Sequence, residues 1–277
     1  MHAKRITALA LALVMTLLLA ACGSKTVVND DGTKTEQTER GVKVTQTAAK
    51  AVQTEKYETA DFSMTIPKGW TVTTGGTNIY HSIRVYDPAE PLNQMFVLLK
   101  ADVLLHSQAG KEAWQQNYSM GNTQAALFTK AAVLDNPSTE GFFKIFSQYT
   151  AFASEVEPAY SGYAFPRFDN FTVSDRYPSA SPLKSSALGD EQLRATFTDN
   201  GKEGEGLFAA SVVDFGSFAI SNGNVVGYQL QAVDGGYYMA YNIVAVTAAK
   251  DTFIEWESVL TECMKTLDYS ESFVNAT

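Results

Sequence analysis

Apolar and polar positions alternate along Asp61–Ile66 (DFSMTI), the period of a strand with one buried face. Pro67-Lys68-Gly69 then turns the chain into a strand at Trp70-Thr71-Val72, and Ile79–Tyr86 and Met95–Lys100 predict two more. Gln192–Thr198 and Glu205–Phe215 flank Asp199-Asn200-Gly201, a hairpin signal. Val225–Val233 and Tyr237–Val246 flank Asp234-Gly235-Gly236 in the same way. Near the end the period becomes helical. Over Ala248–Leu267, Phe253, Trp256, Leu260, Cys263, Met264 and Leu267 share one face, which assigns Trp256 and Cys263 to the core. Between residues 105 and 190 the pattern predicts helices at Lys111–Tyr118 and at Thr123–Leu134 behind an Asn122 cap. A third helix opens at Asn136-Pro137 and runs to about Ser154, with Phe142, Phe146, Tyr149 and Ala153 on one stripe. Beyond it, Pro158, Pro166, Pro178 and Pro182 predict irregular chain. The sum is an α+β fold: an antiparallel sheet with packed helices, carrying a large helical and loop insertion at about 105–190.

The first residues follow a different pattern. Lys4 and Arg5 precede an uncharged run from Ile6 to Ala21, which is shorter than the ~20 residues of a membrane-spanning helix. That is the pattern of a signal peptide, residues 1–21. Its end, Leu19-Ala20-Ala21-Cys22, resembles the lipobox of bacterial lipoproteins. The resemblance implies cleavage before Cys22 and a diacylglyceryl thioether on its sulfur. The mature domain would then be held on the outer face of the cytoplasmic membrane, or at an outer membrane if the host has one. Two acyl chains are enough, because each buried CH₂ contributes about 0.8 kcal/mol to membrane affinity.

Residues 22–56 follow with many charges, seven Thr between 23 and 56, and no aromatic residue; every Phe, Tyr and Trp lies in 57–277. Such a composition buries little apolar surface, so a flexible tether is expected there, with a single globular domain over 57–277. The chain carries 21 Lys+Arg against 30 Asp+Glu, a net charge of -9, which excludes a phosphate-neutralising nucleic-acid binder. Two Cys and three His supply neither a disulfide scaffold nor a metal cluster, and no cofactor motif is present.

Met64-Thr65-Ile66-Pro67-Lys68-Gly69-Trp70 is similar to the opening strand of Mog1/PsbP-like α/β/α sandwich domains, and Phe253-Ile254-Glu255-Trp256 through Leu267 resembles their closing helix. The resemblance covers about 57–101 and 190–270. It implies a scaffold with no functional residue to carry over.

Catalytic motifs are weak. Ser181-Pro182-Leu183-Lys184 matches S-x-x-K without the partner motifs of penicillin-recognising enzymes. Gly204-Glu205-Gly206-Leu207-Phe208-Ala209 matches G-x-G-x-x-A but follows a hairpin turn rather than opening a helix. Asp199, Glu203 and Glu205 lack calcium-loop spacing. His81 and His106 are expected to be structural. The unusual feature is 11 Phe/Tyr within residues 142–177. Within it, Tyr160, Tyr163, Phe165, Phe168 and Phe171 sit among prolines and are expected to leave some rings exposed, as contacts for a glycan, peptide or protein. The expected role is a non-catalytic binding or envelope-assembly module. The alternative is a cell-surface hydrolase with an Asp/Glu site.

Overall fold

The computed structural model describes residues 26–28, 33–38, 41–46, 49–179, 181, 183–226 and 229–277. The signal segment and Cys22 lie outside them. The fold is α+β, with antiparallel sheets and several helices.

The expectation of coil across 23–56 is corrected by β1 (Thr26–Val28), β2 (Thr33–Thr38) and β3 (Gly41–Gln46), which pair into a three-stranded antiparallel sheet. β-branched Thr and Val favour extended backbone even where few apolar side chains are on offer. The next strand, β4 (Thr54–Glu58), begins ahead of residue 57 and pairs with β5 (Phe62–Pro67).

The central sheet has seven antiparallel strands. Its first half is a meander of β6 (Thr71–Gly75), β7 (Ser82–Tyr86) and β8 (Gln94–Leu105). β8 is a nearly continuous apolar run because both its faces are covered. The other strands of this sheet are β9 (Asp169–Pro178), β10 (Gly189–Asp199), β11 (Lys202–Gly216) and β14 (Tyr237–Ala249), in the order β6-β7-β8-β14-β11-β10-β9. Asn200 and Gly201 join β10 to β11 with φ of 50° and 81°, the two left-handed residues of a type I′ turn.

Two sequence expectations change here. Residues 225–233 are not one strand: β12 (Ala219–Val226) pairs with β13 (Gln229–Asp234) as a separate hairpin, and β14 pairs with β8 and β11 instead. The stretch after Pro158 is not wholly irregular either, because β9 forms an edge strand of the main sheet, where its closing Pro178 is tolerated.

Helices cover one face of the sheet. They are α1 (Gln108–Ser119), α2 (Ala126–Lys130), α3 (Thr139–Lys144) and α4 (Phe146–Val156). The predicted helix over Thr123–Leu134 is only a 3-10 turn at Thr123–Ala125 followed by α2, because Val133 bridges to Leu105. The elements of 105–190 thus supply the helical layer and one edge strand. The other face is covered by α5 (Phe253–Lys265) and by the small sheet in which β5 lies between β4 and β15 (Asp268–Tyr269). The chain ends in α6 (Glu271–Ala276). Phe253, Trp256, Leu260, Cys263 and Met264 of α5 are buried with Phe62, Met64 and Ile66 of β5, the core role the helical period assigns to Trp256 and Cys263.

Candidate functional site

The five tyrosine-segment rings are drawn inward. Tyr160, Phe168 and Phe171 are 3%, 1% and 4% exposed, and Tyr163 and Phe165 are half-buried against the same core. Three of the five rings are thus core side chains, while Tyr163 and Phe165 keep part of their surface exposed. Phe168 lies 5.2 Å from Phe146 and 5.1 Å from Phe208 between ring centroids, and Phe171 stacks on Phe143 at 5.4 Å. Such pairs add to the area that each ring buries. Polar tips find partners: Tyr163 Oη sits 2.9 Å from Ser82 Oγ, and the Tyr160 hydroxyl donates to the Tyr80 carbonyl. Pro158 and Pro166 interrupt regular structure without forcing rings outward, because a 3-10 turn at Pro158–Tyr160 aims Tyr160 at the core.

The other sequence candidates are engaged elsewhere. Ser181 is buried, with its Oγ 3.2 Å from Ser211 Oγ and accepting from the Leu183 amide, while Lys184 is exposed. Glu205 pairs with Arg194 at 2.6 Å, Glu203 pairs with Lys250 at 3.2 Å, and Asp199 accepts from Asn200. The Gly204–Ala209 motif lies inside β11, as its place after a hairpin implies.

Sequence spacing did not reveal three polar clusters. In the first, Lys100 Nζ contacts Asp102 Oδ2 at 2.5 Å, with side chains 12% and 11% exposed, and Tyr80 Oη donates to the same oxygen at 3.0 Å. Burial, then the Asp102 charge, pushes the Tyr80 hydroxyl upward; Tyr241 is pushed up to about 12 for the same reasons. The next residue, Val103, has φ of +60°, a conformation costly for a β-branched side chain. Its amide bonds back to Asp102 Oδ1 at 2.8 Å.

The second cluster is a clamp. His106 Nδ1 lies 2.8 Å from Asp234 Oδ2 and Nε2 lies 3.0 Å from Asp214 Oδ1, with the Tyr238 ring 4.0 Å away. A carboxylate oxygen thus faces each ring nitrogen. Burial pulls Asp234 upward, but hydrogen bonds from His106, the Gly236 amide and Ser217 outweigh it, so the carboxyl is held below its ordinary range. With both nitrogens occupied, this ring ties the ends of β11 and β13 to the end of β8.

The third cluster is a cavity of about 300 Å³ where α6 meets the β6–β7 connection. Its wall is Ala60, Asp61, Gly76, Thr77, Asn78, His81, Ser272, Phe273 and Ala276. Ser270 caps α6 by accepting from the Phe273 amide at 3.2 Å, which fixes Phe273 against His81 at a centroid distance of 5.0 Å. Gly76, at φ +71°, is required: a Cβ there would collide with the Tyr80 carbonyl and the Tyr160 ring. His81 is 5% exposed, and its Nδ1 is buried with no hydrogen-bond partner. The Tyr269 hydroxyl is likewise buried and unpartnered, and its ring meets the imidazole edge-on at 5.9 Å. Burial lowers the His81 pKa below 6.5 while the Asp61 charge opposes, so the neutral ring is favoured. The expectation that His81 is structural thus misses its place in a cavity wall.

No protein-family model matches this chain, and no curated protein matches it in sequence.

Proposed function

We propose that this chain is a lipid-anchored extracytoplasmic lipoprotein whose domain, a Mog1/PsbP-like α/β/α sandwich, serves as a non-catalytic binding or envelope-assembly module. The observation that carries the reading is Leu19-Ala20-Ala21-Cys22 behind a basic start and an apolar run. Among the described residues no helix is long and apolar enough to cross a membrane, so acylation of Cys22 is the route to the bilayer that the chemistry supports. Binding is favoured over turnover because His106 has both nitrogens engaged by carboxylates. The layered order, with helices, central sheet and then α5 beside β5, supports the sandwich reading.

Metabolic labelling with an alkyne fatty acid tests the anchor. The wild-type chain takes up label and enters the detergent phase on Triton X-114 partition, and Cys22→Ala does neither. Retention of label by Cys22→Ala would overturn the reading.

A further inference from the structure

We propose that the cavity walled by His81, Asp61 and Phe273 binds a small organic cation: a primary ammonium on an apolar body. The inference deepens the reading of the domain as a binding module, and its test is independent of the anchor.

The chemistry of the wall selects the ligand. Asp61 is the one charged residue among those that line the cavity, and no Lys or Arg lines it. An anionic ligand would meet that carboxylate with no cation to offset it. A cation meets attraction, which is stronger beside a low-dielectric wall than in bulk water. Next to Asp61 stands an imidazole kept neutral by burial, with one nitrogen lacking a partner. Ammonium offers three N–H donors, enough for the Asp61 carboxylate and the Thr77 and Ser272 hydroxyls together. Ala60, Ala276 and the ring of Phe273 supply an apolar part of the wall, beside Asn78. An aromatic face within ~6 Å also attracts a cation directly. The volume, about 300 Å³, is at the small end of ligand sites and admits one ring and a short chain.

Phenethylamine, phenylacetate and 2-phenylethanol share a ring and a two-carbon reach but differ in charge, so they are the probes. The full mature chain, labelled with ¹⁵N-histidine, is titrated with each to about 10 mM while the His81 ring nitrogens are followed, assigned with His81→Leu. Phenethylamine is expected to shift them saturably. Phenylacetate is expected to leave them unmoved, and the alcohol to bind at least tenfold more weakly than the amine. Asp61→Asn, an exposed position whose fold is checked by its unfolding midpoint, is expected to weaken amine binding about tenfold, the size of one lost charge contact. Equal binding of amine and acid, amine binding unchanged in Asp61→Asn, or no saturable shift with the amine would each overturn the proposal. The fatty-acid label on Cys22 would be unaffected by any of these results.

Discussion

The two faces of the central sheet are packed by different means. The helical face is filled with rings: Phe142, Phe143, Phe146, Phe168, Phe171, Phe197 and Phe208 are buried in one cluster. Beside it, Lys100 meets Asp102 and His106 meets two carboxylates. The opposite face mixes aliphatic side chains, Met64 and Met95 with fewer rings, Phe62, Phe253, Phe273 and Trp256, and at its margin holds a cavity with His81 in its wall. A dense aromatic segment is thus a way of making a core, and each face keeps a buried hydroxyl without a partner, Tyr149 Oη on the first and Tyr269 Oη on the second.

Substitutions on the two faces should differ in size and in sign. Phe143→Ala empties a site that touches five other rings, and is expected to cost about 3–5 kcal/mol by urea denaturation. Asp102→Ala leaves the Lys100 ammonium buried without its partner, an expected loss of about 3 kcal/mol or more. Replacing both, as Lys100→Met with Asp102→Leu, should recover most of that loss, which separates the cost of an orphaned charge from the worth of the pair.

His106→Ala should cost less, about 1–2 kcal/mol, because Asp214 and Asp234 are 46% and 40% exposed and water takes up part of their charge. The pH response distinguishes the two histidine sites. Asp234 is held low in the folded state, so its contribution is present above the unfolded carboxyl pKa and is lost as pH falls through the folded value. His81 is also lowered, but it is a base, so the unfolded chain takes up the proton first. Stability is then lost as pH falls from 6.5 toward the lower folded value. His81→Leu should flatten the stability profile just below pH 6.5, and His106→Ala the profile below the carboxyl range.

The smallest effect is expected from His81→Leu at pH 7. It removes an unpartnered polar atom in favour of an apolar group of similar size, so stability should change by less than about 1 kcal/mol, in either direction. A loss of several kcal/mol would mean that the imidazole has a structural partner and that the contrast between the faces is false.

What could be read from the chain follows the distance over which each feature is decided. The Asn200-Gly201 hairpin and the apolar face of α5 are local, and both stand as expected. The β12/β13 hairpin was hidden because Val225 to Val233 reads as one run, although the end of β12 and most of β13 both lie inside it. Strands β1 to β3 were hidden because composition measures what can be buried and not which backbone conformation Thr and Val prefer. The cavity was beyond sequence reading altogether: residues 60–61, 76–81 and 272–276 meet only once β15 has paired with β5. The one local hint is Gly75-Gly76 before Asn78, whose φ is +50°.

The register of the central sheet also governs how the molecule is made. β8 pairs with β14 so that Leu98 faces Ile243 and Phe96 faces Ala245. Contacts between segments so far apart in the chain form slowly, because a long loop must close before they contribute. Synthesis proceeds from the N-terminus, so β6, β7 and β8 are complete while β14 is still unmade. Throughout that interval β8 presents one open edge, twelve residues long and almost entirely apolar. A nascent chain in this condition is a natural client for a holding chaperone. Conditions that slow the delivery of residues 237–249 should therefore favour aggregation over folding.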